Sequence, residues 1–152
     1  MDYYIFMDEA IREAKKAEAN GDVPVGAVAV CNNEIIGRGY NQKEAENDPS
    51  GHAEIAALKE AAQHLNNWRL SDVTLFVTME PCPMCTGAIL QSRIKTLVFG
   101  AWDNNWGACG SKVNLLKEKM FNHTVEVIGG IKEKECAALT EKFFLQRRKE
   151  TL

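Results

Sequence analysis

The stretch VTLFVTMEPCPMCTGAILQSRIKTLVFGA, residues 73–101, decides the fold. Val73 to Met79 is apolar and β-branched, which predicts a buried strand, and Lys95 to Ala101 has the same character. Pro81-Cys82-Pro83 lies between them and predicts the start of a helix, because proline is favoured at the first helical position. A strand, a helix and a second strand in this order predict a right-handed crossover and at least part of a parallel sheet.

Flanking segments extend this unit into a larger α/β domain. Apolar residues recur at helical spacing from Tyr4 until Asn20-Gly21, which predicts an amphipathic first helix. Two strand-like runs, Pro24 to Cys31 and Glu34 to Tyr40, are separated by the turn-forming Asn32-Asn33 and predict a hairpin. The other expected elements are a helix that starts near Asp48-Pro49-Ser50, a short helix over Lys112 to Glu118, a strand over Thr124 to Ile128 and a long helix over Ile131 to Arg148. The sum is a three-layer α/β/α fold with a central mixed sheet of about five strands.

The whole chain has the size and composition of one soluble domain. Its 152 residues fit a single domain, 1–152, and contents of 45% hydrophobic and 26% charged residues are ordinary for a globular protein. No apolar run approaches the roughly 20 residues of a membrane helix, and Met1 to Glu9 lacks the features of a signal peptide. The odd count of five cysteines indicates reduced thiols, and Cys31, Cys109 and Cys136 are expected to be buried. We therefore expect a cytoplasmic protein with no membrane segment.

The net charge of −3 argues against a generic nucleic-acid binder, which would usually carry a basic excess. Local basic patches remain compatible with this value. Arg147, Arg148 and Lys149 form one near the C-terminus, and a solvated helix end stabilised by the helix dipole explains it equally well.

Two short motifs, well separated in sequence, carry ligands for a metal ion. His52 in His52-Ala53-Glu54 supplies an imidazole, and Cys82 and Cys85 supply thiols. An imidazole nitrogen and two thiolates are good zinc ligands, and three protein ligands leave the fourth position for water. The cysteines are expected at a helix start, where unpaired N–H groups and the helix dipole favour thiolates. His-x-Glu followed by Pro-Cys-x-x-Cys is the known signature of zinc deaminases that act on nucleobases.

Glu54 is close to His52 along the chain but is expected to move protons instead of binding the metal. A zinc ion lowers the pKa of its water to about 7, so Glu54 can take that proton and pass it to the leaving nitrogen. The pair of motifs therefore predicts hydrolytic deamination with one Zn²⁺ per subunit and no organic cofactor.

Each motif also has a simpler interpretation. Cys-x-x-Cys alone is often a structural zinc knuckle or a redox pair, and only its coupling to His-x-Glu favours catalysis. A structural zinc needs a fourth ligand, for which Cys109 and His123 are the candidates. His123 is more simply expected to make loop hydrogen bonds, and His64 to lie on the polar face of a helix.

Further motifs extend along nearly the whole chain: Val23-Pro24-Val25-Gly26-Ala27, Asn41, Asn67-Trp68-Arg69-Leu70, Gly87-Ala88-Ile89, Ser92-Arg93-Ile94, Val98-Phe99-Gly100-Ala101, Gly110-Ser111, Asn122-His123, Glu135-Cys136, Phe143-Phe144 and Arg147-Arg148. With these motifs the chain resembles the bacterial tRNA-specific adenosine deaminases of the TadA type, which have the cytidine deaminase-like fold. The resemblance implies conversion of adenosine to inosine at the wobble position, the first anticodon position, of a tRNA. It also implies a homodimer with active sites near the subunit interface.

The same resemblance implies roles for single residues. Residues that match His52, Cys82 and Cys85 hold zinc in the family, water attacks C6 of the base, and the match of Glu54 shuttles protons. The match of Asn41 contacts the target nucleoside. From the residues alone, Asn41 is more often a turn residue.

The resemblance implies two RNA-binding regions. Asp103 matches a residue of the RNA-binding loop, although alone it is a solvated acid. Phe143, Phe144 and Arg147 match a C-terminal helix that borders the anticodon, although alone they are core aromatics and a charged helix end. A single-stranded anticodon loop suits recognition by splayed bases and aromatic stacking.

One segment departs from the family pattern. The family usually follows the aspartate with a proline or alanine and then a lysine, whereas Asn104-Asn105-Trp106 stand here. Losing the lysine removes a phosphate contact, while the tryptophan could stack on a base or pack in a subunit contact. Deamination of a free base or nucleoside, such as guanine or cytosine, is therefore the alternative. A non-catalytic, zinc-stabilised RNA-binding module is the third hypothesis.

Overall fold

The computed structural model describes residues 1–150, so the end of the expected 1–152 domain lies outside the described residues. The chain forms, in order, α1 (Tyr3–Ala19), β1 (Gly26–Cys31), β2 (Glu34–Tyr40), α2 (Ala53–Leu65), β3 (Thr74–Met79), α3 (Pro83–Ser92), β4 (Thr96–Ala101), two short 3-10 helices (Leu115–Lys117 and Lys119–Phe121), β5 (Glu126–Gly129) and α4 (Glu133–Glu150). None of the described helices is long and apolar enough to cross a membrane.

The strands form one five-stranded sheet in the order β2-β1-β3-β4-β5. β1 is antiparallel to both of its neighbours, whereas β3, β4 and β5 run parallel. The β1–β2 hairpin turns at Asn32 and Asn33, whose positive φ angles of 52° and 62° suit a tight hairpin turn. The predicted hairpin, the parallel β3-α3-β4 unit and the mixed sheet are confirmed.

Helices cover both faces of the sheet. Successive residues of a strand point to opposite faces, so strands buried on both sides have continuous apolar sequences. One face packs against α1 and α4 through a buried cluster that includes Met7, Ala10, Val28, Val30, Phe76, Val98 and Cys136. The opposite face packs against α2 and α3 through a cluster that includes Ala29, Ala57, Leu75, Val77, Ile89, Leu97 and Phe99. The predicted three-layer α/β/α arrangement is therefore confirmed.

The hairpin and α2 are in unusually close contact. A Cβ atom at Gly37 would lie 2.2 Å from the carbonyl oxygen of Ala57, and one at Gly39 would lie 2.3 Å from that of Ala53. Only glycine leaves room for the helix backbone at these two positions. The first turn of α2, which carries the His-x-Glu motif, is thereby seated directly on β2.

Some expected boundaries were wrong. α2 begins at Ala53 instead of near Asp48-Pro49-Ser50, because the Asp48 carboxylate accepts hydrogen bonds from the Ser50 N–H and hydroxyl and forms a local turn. The expected helix over Lys112 to Glu118 is only the 3-10 helix Leu115–Lys117, and the second 3-10 helix, Lys119–Phe121, follows that span. Cys109 and Cys136 are buried as predicted, but Cys31 is only half-buried at the end of β1.

Candidate active site

Three side chains from two helix starts meet beside the carboxyl end of β3. His52 is the N-cap of α2, Cys82 is the N-cap of α3, and Cys85 lies in the first turn of α3. The Nδ1 atom of His52 lies 3.6 Å from Sγ of Cys82 and 3.4 Å from Sγ of Cys85. The candidate ligand atoms of these residues all lie within 4.8 Å of one another.

This donor set fits zinc. Tetrahedral coordination, with zinc–sulfur bonds of about 2.3 Å and zinc–nitrogen bonds of about 2.0–2.1 Å, separates nitrogen and sulfur ligands by about 3.5 Å. The two observed distances from His52 Nδ1, 3.6 and 3.4 Å, match this separation. The geometry therefore suits one zinc ion with three protein ligands and one further position.

The two N-cap residues leave their side chains available for a ligand. An N-cap side chain usually accepts a hydrogen bond from the first helical turn, but those of His52 and Cys82 make none. At α2, the N–H of Ala53 instead donates to Oδ1 of Asn41 at 3.0 Å. The residue that follows β2 thus caps the helix start, while the imidazole lies beside the cysteines.

A hydrogen bond joins the side chains of Cys82 and Cys85. The Cys85 thiol donates a hydrogen bond to Cys82, which lowers the pKa of Cys82 to about 4 and raises the pKa of Cys85. Cys82 is therefore poised as a thiolate, the form that binds metal. A metal cation that binds here would replace the proton of Cys85, so that both cysteines would be thiolates.

Glu54 lies in the first turn of α2 and is only 4% exposed. Burial raises the pKa of Glu54 to about 7, since a charged carboxylate is disfavoured away from water. A carboxyl group in this range can both accept and donate a proton near neutral pH. Its position beside the three ligands matches the predicted proton carrier, and its role stays a prediction.

Neither candidate for a fourth protein ligand joins the set. Sγ of Cys109 lies 3.3 Å from Oγ1 of Thr86, and Nε2 of His123 lies 2.9 Å from the carbonyl oxygen of Ile94. Within residues 1–150, His52, Cys82 and Cys85 are the one such group of metal ligands. A four-ligand structural zinc site is therefore not supported, and the predicted loop contact of His123 is confirmed.

The side chain of Asp103 makes hydrogen bonds within its own loop. Oδ1 of Asp103 accepts hydrogen bonds from the backbone N–H groups of Asn105 and Trp106, at 3.0 and 3.1 Å. The Trp106 side chain is 69% exposed. Asp103 therefore shapes its own loop, and its contact with RNA stays a prediction.

The aromatic residues of α4 are not core residues. Phe144 is 47% exposed and packs edge-on against Phe143, with ring centroids 5.5 Å apart. The Arg147 guanidinium lies 4.8 Å from the Phe143 ring centroid and donates to the carbonyl oxygen of Gly21 at 2.6 Å. The end of α4 thus presents an aromatic and cationic surface.

Sequence reasoning missed Glu80, the residue between β3 and Pro81. Its carboxylate is 2% exposed and accepts hydrogen bonds from both ends of the loop that contains Asp103. The available signal was an acidic residue directly after an apolar strand. Its partners could not be deduced, because they lie much later in the chain.

The sequence of this chain is similar to those of known deaminases. The model of the MafB19-like deaminase family matches residues 1–148. The tRNA-specific adenosine deaminase of Bacillus subtilis (strain 168) is 50% identical over 145 residues, which are 95% of this chain and 90% of that protein.

Two solved structures of deaminases are also similar to this chain. A chain from work on A-to-I editing by tRNA:A34 deaminases at the wobble position of transfer RNA is 38% identical, with a TM-score of 0.86 and coverage of 89% of this chain and 98% of that one. A guanine deaminase from Bacillus subtilis is 36% identical, with a TM-score of 0.64 and coverage of 67% of this chain and 66% of that one.

Proposed function

This chain belongs to the family of tRNA-specific adenosine deaminases, and from that membership we propose that it converts adenosine to inosine at the wobble position of a tRNA. The observation that carries the chemistry is the meeting of His52, Cys82 and Cys85 with the buried Glu54 beside them. The reaction adds water to adenosine and yields inosine and ammonia. A bond from oxygen to C6 forms, and the bond from C6 to the exocyclic nitrogen breaks.

We infer that Zn²⁺ is the resident metal, with one ion per subunit. Nδ1 of His52 and the sulfurs of Cys82 and Cys85 would hold it, and this is supported by the match of their spacing to tetrahedral zinc. When bound, zinc supplies Lewis-acid activation of the attacking water near neutral pH.

The chain's own residues supply the proton transfers and the orientation. Glu54 takes the proton released as water adds to C6 and delivers it to the departing nitrogen, which leaves as ammonia. Asn41 uses its Oδ1 on the Ala53 N–H, so its Nδ2 group is the donor that it can offer to the target nucleoside. Asp103 keeps the neighbouring loop in shape for the RNA.

We further propose a cytoplasmic homodimer whose single deaminase domain, 1–152, acts on the anticodon stem-loop. The family match over residues 1–148 supports the single domain. An interface near the site is supported by Met84, an apolar side chain that is 41% exposed although it lies between Cys82 and Cys85 in sequence.

The function is tested with zinc-loaded protein and an anticodon stem-loop that has adenosine at the first anticodon position. We expect inosine at that position and no ammonia from guanine, cytosine or free adenosine. The likeness to a guanine deaminase makes free guanine the necessary comparison. An unchanged stem-loop with ammonia released from a free base or nucleoside would replace the proposal with small-molecule deamination.

A further inference from the structure

Glu80 is a buried carboxylate that the proposed chemistry does not use. It follows the last residue of β3 and precedes Pro81, and it is 2% exposed. Burying a charged carboxylate is unfavourable unless hydrogen bonds replace its water. Its hydrogen-bond partners therefore indicate what the residue does.

All of these partners belong to one loop, residues 102–111. Oε1 of Glu80 accepts a hydrogen bond from the N–H of Asp103 at 3.1 Å and a short one from the Ser111 hydroxyl. Oε2 accepts from the N–H groups of Cys109 and Ser111, both at 3.0 Å. One side chain thus holds the beginning and the end of the 102–111 loop together.

The middle of the loop is fitted to the same carboxylate. A Cβ atom at Gly107 would lie 2.5 Å from Oε1 of Glu80, so the loop backbone passes directly over the carboxylate. The N–H of Gly107 donates to the carbonyl oxygen of Asp103 at 2.9 Å and closes the turn. The beginning, middle and end of the loop therefore all lie against the Glu80 carboxylate.

The loop is also attached to the helix start that carries the cysteine ligands. The N–H of Ala108 donates to the carbonyl oxygen of Pro81 at 2.9 Å, and Sγ of Cys109 lies 3.3 Å from Oγ1 of Thr86 in α3. These two contacts involve Pro81 and Thr86 and not the Glu80 carboxylate, so they would still attach the loop to the start of α3 if the carboxylate were removed.

We propose that Glu80 is a positioning residue that holds the 102–111 loop in one conformation for RNA binding. This inference rests on the proposed function, because it takes the loop as a contact surface for the anticodon stem-loop. Without the carboxylate, the loop samples other conformations, and binding then includes the free-energy cost of ordering it. The loss falls on the affinity for RNA, whereas the metal ligands and Glu54 keep their places.

The test compares Glu80→Gln with the wild-type protein, both loaded with zinc. Glutamine has the same shape but replaces one of the two carboxylate oxygens by an NH2 group, which cannot accept a hydrogen bond from a loop N–H. We expect amide hydrogen exchange to accelerate by at least about tenfold either at the Asp103 N–H or at the Cys109 and Ser111 N–H groups, whichever faces the new NH2 group and so loses its acceptor oxygen. With the stem-loop, we expect KM to rise by about tenfold or more, with kcat and zinc content within about twofold of wild type.

Two further variants control the experiment. Glu118→Gln makes the same chemical change at an exposed carboxylate and should leave exchange and KM unchanged. Ser111→Ala removes the hydroxyl contact and keeps the three backbone N–H bonds, so we expect a smaller rise in KM of about threefold or less. If Glu80→Gln does not fold, Ser111→Ala and Glu80→Asp carry the same test with smaller expected effects.

Unchanged loop exchange in Glu80→Gln would overturn the proposal, as would a fall in kcat or zinc content at unchanged KM. A wild-type protein that leaves the stem-loop unmodified would contradict the proposed function instead. The exchange measurement needs no activity, so it would then decide alone whether Glu80 holds the loop.

Discussion

Asn41 has two functional groups with different tasks. Its Oδ1 satisfies the Ala53 N–H, one of the donors that a helix start otherwise leaves unpaired. Its Nδ2 is the group proposed to contact the nucleoside. The family resemblance implied the second task, and the first became visible only when β2 and α2 were placed side by side.

These tasks are separable by substitution. Asn41→Asp keeps the acceptor and removes the donor, so we expect a free energy of unfolding within about 0.5 kcal/mol of wild type but a fall in kcat/KM of at least about tenfold. Asn41→Ala should lose the same activity and about 1 kcal/mol of stability, because the helix cap is gone. Urea unfolding and stem-loop kinetics measure both. Wild-type kinetics in Asn41→Asp would show that Asn41 caps the helix but does not contact the nucleoside.

Cys136 provides a pH test away from the catalytic centre. Its side chain is 1% exposed and packs over Gly100, and burial raises the pKa of the thiol to about 12 from its ordinary value of 9.0. Above pH 9 the unfolded chain loses this proton while the folded protein keeps it, so the thiol's contribution to stability decreases as pH rises through this window.

We therefore expect the wild-type protein to lose about 1–2 kcal/mol more stability than Cys136→Ala between about pH 8 and about pH 10.5. Urea unfolding at the two pH values measures this difference, and the other titrating groups are common to both proteins. Equal losses would show that the thiol is not held protonated by burial.

At the scale of elements, residues 73–101 were predictable because their pattern is local. An apolar run, a proline at a helix start and a second apolar run each indicate one element, and the structure has β3, α3 and β4 at these places. The start of α2 was not predictable, because the sequence from Asp48 to Ser50 suits either a helix start or a local turn. In the structure the Asp48 side chain accepts from the Ser50 N–H and forms the turn. The role of Glu80 was hidden for a different reason: its partners are brought to it only by the tertiary fold.

The contact between the hairpin and α2 yields a prediction on stability. Gly39→Ala places a methyl group against the Ala53 carbonyl, so we expect a loss of about 2–3 kcal/mol in the free energy of unfolding and weaker zinc retention. Gly87→Ala is the control, because nothing lies within 4 Å of a Cβ atom there and alanine favours the helix. Urea unfolding and zinc analysis compare the two. Equal stability of both variants would contradict the close seating of α2.

For the whole molecule, the metal ligands join two helix starts that are distant in sequence. The motif pair allowed the ligand set to be predicted, since His-x-Glu and Cys-x-x-Cys at helix starts converge at one edge of an α/β sheet. The architecture around it, with a hairpin seating α2 and a loop wrapped on Glu80, depends on contacts that no local pattern reveals.

Removing the metal should therefore affect stability as well as activity. After chelation we expect a fall in the melting temperature of several degrees and loss of deamination, both reversed by added Zn²⁺, because binding to the folded state alone stabilises it. Differential scanning calorimetry and stem-loop assays follow the two effects. An unaltered melting temperature with activity intact would exclude zinc as the resident cofactor.

The most direct test of the proposed mechanism compares inosine formation by wild type, Glu54→Ala and Glu60→Ala at equal zinc content. Glu60 is an exposed glutamate on the same helix. We expect Glu54→Ala to keep its zinc and fold but to lose at least about a hundredfold in initial rate on the anticodon stem-loop, with Glu60→Ala like wild type. Wild-type rates in Glu54→Ala, or no inosine from the wild-type protein, would contradict the account.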